Sequence, residues 1–361
     1  MKRIGIMTCG GDCAGLNVAI RAVVQSATLK YNWEVIGIKN GTMGLLGDTP
    51  NTVPLDLNFQ GFNHAMLRMG GTILGSTTKG NPMAYSMNDG SHIDRSEEIF
   101  KNYRKLNLDA LIAIGGDGGL KITNDLAKKG GINFIGIPKT IDNDVPNTES
   151  IGFATAVSVA TAALDNLQPT AASHDRVMIL EVMGRDAGHI ALHSGIAGGA
   201  DVILIPEVPF NFDSIVQKVK EVQKSDRSYA LLVVSEAAFP KNGKARTVKY
   251  HSGDERYGGI GDYIGQELNR MMGIDTRVTV LGHVQRGGSP VSRDRIIASA
   301  FGVKAVELIA QEKFGRMVGW DSQDKVIDVD ITETLKGYQT VNMDGSLITT
   351  ARGLGISFGN E

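Results

Sequence analysis

The sequence predicts an α/β protein with two Rossmann-like domains, each built on a mainly parallel sheet. Short apolar runs alternate with segments at helical spacing, which is typical of βαβ units. The 361 residues are more than one hydrophobic core usually covers, and the predicted strands are too many for one comfortable sheet. Glycine is abundant, with 45 residues, and the excess lies in short turns after apolar runs, where ligands bind in such folds.

The predicted elements follow from these runs in order. A strand at residues 4–7 enters a glycine turn, and residues 17–29 continue at helical spacing. The next predicted strands are residues 33–38, 109–116, 133–138, 176–184, 201–207, 229–237 and 277–283. The other predicted helices are residues 120–130, 153–167, 186–197, 212–224, 261–272 and 293–311. Because helices separate the strands, the sheets are expected to be parallel.

Composition argues against nucleic-acid and membrane partners. The chain is 42% hydrophobic and 21% charged, with a net charge of -2, close to an ordinary soluble protein. No apolar run approaches the ~18 residues of a membrane span, and the N-terminus lacks the layout of a signal peptide. Cys9 and Cys13 have no second ligand pair for zinc, so we expect buried free thiols in a reducing cytoplasm.

Turns rich in glycine and aspartate follow several predicted strands. Residues 9–17 (CGGDCAGLN) lead from a strand into a helix, so glycines such as Gly11 would let backbone N–H groups approach an anion. Residues 115–119 (GGDGG) place Asp117 among glycines, which favours Mg²⁺ between carboxylate and phosphate over an Asx turn or a helix N-cap. These turns are expected to face one crevice, which would put the active site in the cleft between the domains.

The strand at residues 133–138 runs into the segment PKTIDNDV, residues 138–145. Asp142 and Asp144 are two apart, so one could act as a base while the other orients a group or holds a metal. Thr140 could donate a hydrogen bond to a phosphoryl oxygen, and Lys139 adds a cation. A charged, solvated loop is the alternative interpretation.

Basic side chains lie at several predicted strand ends. Arginine binds phosphate through two parallel hydrogen bonds, and a nearby histidine can add another. Glu236 also follows a predicted strand and could accept from a sugar hydroxyl. Each arginine alone could equally form a surface salt bridge, so the group carries the argument. The basic residues are Arg176, Arg185, Arg277, His283 and Arg286.

These sites together indicate phosphoryl transfer, in which glycine loops and Mg²⁺ hold a donor and a carboxylate takes the acceptor's proton. The motifs GGDCAGLN, GGDGG, PKTIDND, LEVMGR and TVLGHVQRGGSP, in this order, make the chain resemble the 6-phosphofructokinase family from residue 3 to about residue 310. The resemblance implies Mg²⁺-dependent transfer from ATP to the C1 hydroxyl of fructose 6-phosphate, giving fructose 1,6-bisphosphate. It implies a nucleotide (phosphoryl donor) domain of residues 1–152 with about 290–322, and a sugar-phosphate domain of residues 153–289 with about 323–361.

The resemblance also implies roles for individual residues. Asp142 would be the general base, with Asp144 in support. Thr140 would contact the sugar or the transferred phosphoryl group, and Arg185 would stabilise the transition state. Asp117 would hold Mg²⁺, and Gly11 would contribute to catalysis. Sugar-phosphate binding is implied for Arg176, Met183, Gly184, Glu236, Arg277, His283 and Arg286. Donor binding is implied for Gly11, Thr78, Lys79, Gly116, Asp117, Gly118, Gly119 and Lys139. In this family the arginines matching Arg176 and Arg277 reach across from a neighbouring subunit, which implies a homotetramer with shared sites.

Departures from the family's pattern bear on the donor. ATP users carry a glycine at the position of Gly118, whereas pyrophosphate users tend to have aspartate there and lysine at the position of Lys139. This chain therefore combines the glycine that is typical of ATP users with the lysine that is typical of pyrophosphate users. Gly118 leaves space for the α-phosphate of a nucleotide, which favours ATP, and a pyrophosphate-dependent enzyme is the alternative. Many ATP users carry an arginine where Thr78 stands, and Lys79 could compensate in part.

Allosteric regulation is also implied, with changes in the effector pocket. Arg21 and Arg227 match its basic lining. The remaining positions differ, so we expect the pocket to bind an anionic effector more weakly or to bind a different effector. Those positions are Gln25, Gln168 and Ser225, which replace basic residues, and Asp201, which replaces a glutamate. A further alternative is a non-catalytic sugar-phosphate-binding subunit. Loss of an acidic residue at 117, 142 or 144 would favour this alternative, but all three are present. Lipid and NAD kinases lack the PKTIDND and GHVQRGG segments.

Overall fold

The computed structural model describes residues 1–58, 64–78, 80–87, 89–225, 227–249, 255–321 and 323–361. The chain divides into two compact units. Unit 1 contains Met1–Thr140, Val145–Ala154 and Arg286–Tyr338, and unit 2 contains Ile141–Asp144, Thr155–Gln285 and Gln339–Glu361. Each unit holds a sheet that is wholly or mainly parallel, which confirms the α/β class.

The bounds of the elements are as follows. The strands are β1 (Arg3–Cys9), β2 (Glu34–Ile38), β3 (Thr52–Leu55), β4 (Tyr85–Ser86), β5 (His92–Ile93), β6 (Ala110–Gly115), β7 (Phe134–Thr140), β8 (Ile151–Gly152), β9 (Val177–Val182), β10 (Val202–Leu204), β11 (Ala230–Ser235), β12 (Thr247–Lys249), β13 (Glu255–Tyr257), β14 (Thr276–Val280), β15 (Arg316–Trp320) and β16 (Val326–Asp330). The α-helices are α1 (Leu16–Tyr31), α2 (Ser96–Lys105), α3 (Asp117–Gly130), α4 (Phe153–His174), α5 (His189–Ala197), α6 (Phe212–Lys224), α7 (Ile260–Met272), α8 (Ser292–Ala310), α9 (Ile331–Thr334) and α10 (Ser346–Gly353). Short 3-10 helices are Gly41–Leu45, His64–Arg68, Pro82–Ala84 and Gly282–Arg286.

The sheet of unit 1 has the strand order β16-β15-β7-β6-β1-β2-β3, with β8 paired to β7. Its centre, β1 with β6 and β7, is parallel and buried along nearly its whole length. Continuous apolar runs such as these are typical of strands covered by helices on both faces. Because the register pairs Cys9 with Gly115 and Gly115 with Pro138, β1 and β6 end at the same level, and β7 continues two residues further, to Thr140.

One edge strand of this sheet, β16, comes from a segment that the sequence analysis assigned to the other domain. Strand β16 turns back and pairs antiparallel with β15, joining Met317 to Val329 in the register. Residues 323–338 therefore lie in unit 1, although the sequence placed them with the second domain. A return strand next to its own predecessor carries no βαβ pattern, so the alternation of strands and helices does not reveal it.

The sheet of unit 2 has the order β10-β11-β9-β14, and all its pairings are parallel. Strands β9, β10 and β11 are buried throughout, and the edge strand β14 is partly exposed. A core of aliphatic side chains, including Ile179, Leu232 and Ile264, packs α6 and α7 onto this sheet. The order places β9 between β11 and β14, so the loops that follow these three strands are neighbours.

Most predicted elements agree with the structure, with differences at turns. The helix predicted at residues 186–197 begins only at His189, because Gly188 takes the N-cap position after a turn. The hairpins β4–β5 and β12–β13 were not predicted, since each strand has only two or three residues. Along the described stretches, no helix is both long enough and apolar enough to span a membrane.

Candidate active site

The glycine loop after β1 lies against the segment of unit 1 that contains Ser76 and Thr77. Gly10 has a φ of 81°, and its N–H donates to the carbonyl of Thr77 at 2.9 Å. The Ser76 hydroxyl donates to the carbonyl of Gly10 at 2.6 Å. Thr78 follows directly and is exposed, whereas Lys79 lies outside the described residues. The segment from Ser76 to Thr78 therefore borders the glycine loop.

Gly11 is closely approached by Arg286 within unit 1. A Cβ at position 11 would overlap the Arg286 guanidinium, whose Nη1 donates to the carbonyl of Asp12 at 3.4 Å. The sequence suggested a sugar-phosphate contact for Arg286. In the structure this arginine packs on the glycine loop, so a side chain at position 11 would require the Arg286 guanidinium to move.

Lys139 is buried near the end of β7, with 4% of its surface exposed. Its ammonium group donates to the carbonyl of Gly11, so the side chain connects the ends of β7 and β1. Burial raises the pKa of the Cys13 thiol to about 12, against the opposing charge of Lys139. Cys9 and Cys13 are both free and buried, which confirms the prediction of buried thiols.

Asp117 and its neighbours form the first turn of α3. Gly116 takes the N-cap position, and Asp117 is the exposed first residue of the helix. A helix N-terminus favours negative charge and presents backbone N–H groups to it. Apart from its chain neighbours and the backbone of its own helix, no atom of the described residues lies within 4 Å of a Cβ built on Gly118, whereas a Cβ on Gly119 would lie 3.2 Å from the Cβ of Cys9. The space beside this turn is therefore open at Gly118 and tight at Gly119.

The residues present fit a magnesium ion whose ligands are mostly phosphate oxygens and water, with few protein side chains. Within the described ranges, no group of three or more His, Cys, Asp or Glu side chains could hold a metal by itself. Mg²⁺ in nucleotide sites commonly takes one or two carboxylates, phosphate oxygens and water. The exposed carboxylate of Asp117, at a helix N-terminus, matches that donor set.

The two aspartates after β7 belong to unit 2 and are buried. Asp142 is 3% exposed and Asp144 is 8% exposed, which contradicts a charged, solvated loop. Between them Asn143 has a φ of 54°, and the carbonyl of Asp144 accepts from the N–H of Gln339 at 2.7 Å. Burying carboxylates is costly unless other groups compensate, so such placement is more typical of a site than of a surface turn. Thr140, the last residue of β7, is also buried.

Met183, Gly184 and Arg185 form a tight turn at the carboxyl end of β9. Gly184 has a φ of 150°, and Arg185 has a φ of 50°. The N–H of Arg185 donates to Oε1 of Glu236 at 3.1 Å, while the N–H of Glu236 donates to the carbonyl of Val182 at 2.8 Å. Glu236 is thus attached to β9 through both its main chain and its side chain.

The pKa of Glu236 indicates that Asp142 lies close to it. Burial, together with the negative charge of Asp142, raises the pKa of Glu236 to about 7, against hydrogen bonds from the Arg185 and Gly184 N–H groups. Two carboxylates affect each other in this way only when they are close. Unit 2 therefore brings Asp142 and Glu236 together beside the turn that carries Arg185.

Sequence reasoning missed Gln285. This residue is 1% exposed, and its Oε1 accepts from the N–H of Met183 at 2.8 Å. The available signal was its place inside GHVQRGG, between His283 and Arg286. An amide carries neither a charge nor acid–base chemistry, so its residue type alone does not point to a role in a phosphoryl-transfer site.

Arg176 and Arg277 lie at the opposite edge of the same sheet. Arg176 precedes β9 and Arg277 is the second residue of β14, so both are at the amino ends of their strands. Arg176 and Met183 are seven positions apart, which corresponds to about 23 Å at ~3.3 Å per residue. Both arginines pair with Asp275, Arg176 through Nε at 2.6 Å. In unit 2, Arg176 and Arg277 therefore lie far from Arg185. His283, in contrast, is exposed and follows the carboxyl end of β14.

Comparisons with known proteins agree on one family. The family model for phosphofructokinase matches residues 3–309. The chain is 54% identical to "ATP-dependent 6-phosphofructokinase 1" of Synechocystis over 362 residues, which cover 100% of this chain and 99% of that protein. It is 46% identical to "ATP-dependent 6-phosphofructokinase" of Thermosynechococcus vestitus, over 100% of this chain and 94% of that one.

Solved structures give the same fold. The phosphofructokinase of Saccharomyces cerevisiae superposes with a TM-score of 0.77 at 27% identity, covering 99% of this chain and 48% of the yeast chain. A pyrophosphate-dependent phosphofructokinase from Nitrosospira multiformis superposes with a TM-score of 0.80 at 21% identity, covering 99% of this chain and 92% of that one. At that identity the second likeness supports the fold alone.

Proposed function

The chain belongs to the phosphofructokinase family, and we propose from this premise that it is an ATP-dependent 6-phosphofructokinase of glycolysis. It transfers the γ-phosphoryl group of ATP to the C1 hydroxyl of fructose 6-phosphate, giving fructose 1,6-bisphosphate and ADP. The observation that carries the assignment is the buried Asp142, which lies near enough to Glu236 to raise its pKa, beside the Arg185 turn. That arrangement offers a base and a cation to one acceptor.

The acceptor side of the reaction is proposed for the segment that contains Asp142 and Asp144 and for the turn at residues 183–185. Asp142 takes the proton of the C1 hydroxyl as that oxygen bonds to the γ-phosphorus, and the bond from phosphorus to the bridging oxygen breaks as ADP leaves. Asp144 supports the base, and Arg185 stabilises the charge on the transferred group. Thr140 contacts the sugar or the phosphoryl group. Met183, Gly184, Glu236, His283 and Arg286 contact the sugar phosphate.

The donor side is proposed for unit 1, where glycine turns and a helix N-terminus present N–H groups to phosphate. Gly118 supports ATP over pyrophosphate, because no described atom occupies the space beside it. Lys139 supports the alternative less than expected, since its ammonium group is bonded to the carbonyl of Gly11. The proposed donor-binding residues are Gly11, Thr78, Lys79, Gly116, Asp117, Gly118, Gly119 and Lys139.

Mg²⁺ is part of the proposal, with Asp117 as its protein ligand. When bound, the ion neutralises charge on the donor phosphates. The exposed position of Asp117 at the start of α3 supports this role, because water and phosphate oxygens can reach the same ion. The chain itself supplies the orientation of the donor through the backbone of the glycine turns.

A homotetramer with shared sites is also proposed. Arg176 and Arg277 lie at the amino ends of their strands, away from the Arg185 turn of their own unit, which supports a contribution to a neighbouring subunit's site. The free thiols support a reducing, cytoplasmic location. In the proposed effector pocket, the pairing of Arg227 with Asp201 supports weaker anion binding than a basic lining would give.

A comparison of donors tests the proposed function. Fructose 1,6-bisphosphate formation is measured with ATP, ADP and pyrophosphate at matched magnesium concentrations. We expect kcat/KM to be highest with ATP. Higher kcat/KM with pyrophosphate would favour the pyrophosphate-dependent alternative, to which Lys139 points. No turnover with any donor would favour the non-catalytic subunit, although Asp117, Asp142 and Asp144 are all present.

A further inference from the structure

The turn at residues 183–185 has a backbone that its own residues do not favour. Arg185 has a φ of 50°, in the left-handed region that a bulky residue rarely adopts. Gly184 has a φ of 150°, and a Cβ there would lie 2.6 Å from the carbonyl oxygen of Ala187, so no larger residue fits. A strained conformation persists only when surrounding structure holds it. The N–H of Ala187 donates to the carbonyl of Gly184 at 3.1 Å, and contacts from outside the turn add to this hydrogen bond.

Two side chains hold this turn from opposite sides. Glu236 follows β11, and its Oε1 accepts from the N–H of Arg185 at 3.1 Å. Gln285 follows β14, and its Oε1 accepts from the N–H of Met183 at 2.8 Å. Since β11 and β14 flank β9 in the sheet, the first and third residues of the turn are each bonded to a neighbouring strand's loop.

The position of Gln285 restricts what this side chain can do. The Met183 N–H is a donor, so the carbonyl oxygen of the Gln285 amide must face it. Its Nε2 is buried, and within the described part of the chain it has no hydrogen-bond partner. A buried donor without a partner is costly, so the benefit of this amide must lie in Oε1. At 1% exposure the side chain is also too enclosed to touch a sugar.

We propose that Glu236 and Gln285 are positioning residues that fix the turn at residues 183–185 and thereby orient the Arg185 guanidinium toward the transferred phosphoryl group. The proposal rests on the proposed function, because it takes the role of Arg185 from that reaction. For Glu236, this role adds to the sugar contact. For Gln285, it is the whole role.

A double-mutant cycle on kcat tests the proposal. Gln285→Leu keeps the approximate size but removes the acceptor, and we expect kcat to fall by about 100-fold, as a small misplacement of a reacting group can cause. The KM for ATP should stay within about threefold, since the donor turns are unchanged. In an Arg185→Ala background, Gln285→Leu should change kcat by less than about threefold, because the group that it orients is absent.

Glu236 supplies a matched pair of variants. Glu236→Gln keeps an oxygen that can accept from the Arg185 N–H, so the hydrogen-exchange rate of the turn at residues 183–185 should stay within about threefold of the parent's value. Glu236→Ala removes the acceptor and should lower kcat as Gln285→Leu does. If Gln285→Leu does not fold, this pair provides the same comparison. Hydrogen exchange of peptides covering residues 183–187 should be at least about tenfold faster in Glu236→Ala and Gln285→Leu, but not in Glu236→Gln.

Two results would overturn the proposal. One is a Gln285→Leu enzyme with the parent's kcat and unchanged exchange in the turn. The other is an equal loss of kcat from Gln285→Leu in the parent and in the Arg185→Ala background. A failure of the proposed function looks different, because the parent enzyme would then phosphorylate no fructose 6-phosphate, while the exchange measurement would still report on the turn.

Discussion

Replacing Gly118 with aspartate tests why this chain should use a nucleotide donor. Gly118 is the second residue of α3, and no described atom lies within 4 Å of a Cβ built there. The new side chain therefore fits without a clash. A carboxylate in the first turn of a helix stabilises it by about 0.3–1 kcal/mol, so Gly118→Asp should fold at least as well as the parent. Any loss of activity then reflects the donor.

The size of the effect follows from charge. A carboxylate ~6 Å from the α-phosphate of ATP, at an effective dielectric constant of ~20, is repelled by about 2.8 kcal/mol. This corresponds to about a 100-fold fall in kcat/KM for ATP. Pyrophosphate has only two phosphates, so none of them occupies the position of the α-phosphate of ATP. The kcat/KM for pyrophosphate should therefore change little. The assay is initial-rate formation of fructose 1,6-bisphosphate with each donor.

The matched control is Gly118→Asn, which has nearly the same shape without the charge. Because the space is open, we expect Gly118→Asn to lower kcat/KM for ATP by less than about fivefold. Equal losses in the two variants would refute the electrostatic argument and point to a steric one. Unchanged ATP kinetics in Gly118→Asp would refute the placement of the nucleotide beside this turn.

Three further predictions follow. Asp142→Asn should lower kcat by about 10²–10⁴-fold with little change in the KM for ATP, and turnover at the parent's rate in steady-state assays would exclude Asp142 as the base. Gly11→Ala would overlap the Arg286 guanidinium, so kcat/KM for ATP should fall at least about tenfold; Gly131→Asn, at an open left-handed position, is the control and should match the parent. Burial raises the pKa of Glu236 from 4.5 to about 7. The folded state therefore holds this proton more tightly than the unfolded state, and the contribution is complete below pH 4.5 and is lost as the pH rises through about 7. Urea unfolding should show that Glu236→Gln removes at most about 3 kcal/mol of pH-dependent destabilisation over this range, whereas identical slopes for both proteins would contradict the shift.

The sequence was most informative where one local signal was sufficient. Continuous apolar runs predicted β1, β6, β7, β9 and β11, because strands buried on both faces need such composition. Turn chemistry located the glycine loops and the aspartates after β7. Local signals failed for β16, since an antiparallel return strand breaks the alternation with helices. They also failed for Gln285, whose importance depends on burial and on one N–H from a strand distant in sequence.

By itself, the sequence determined the buried parallel strands and most of the helices between them, their order along the chain, and the acidic, basic and glycine residues that follow the strands. Tertiary structure decided which of those residues meet. Placing β9 between β11 and β14 brings Glu236 and Gln285 to the Arg185 turn, and it leaves Arg176 and Arg277 at the other edge of the sheet. The physical reason is that strand order arises from packing between distant segments, whereas strand formation needs only the local pattern of apolar side chains.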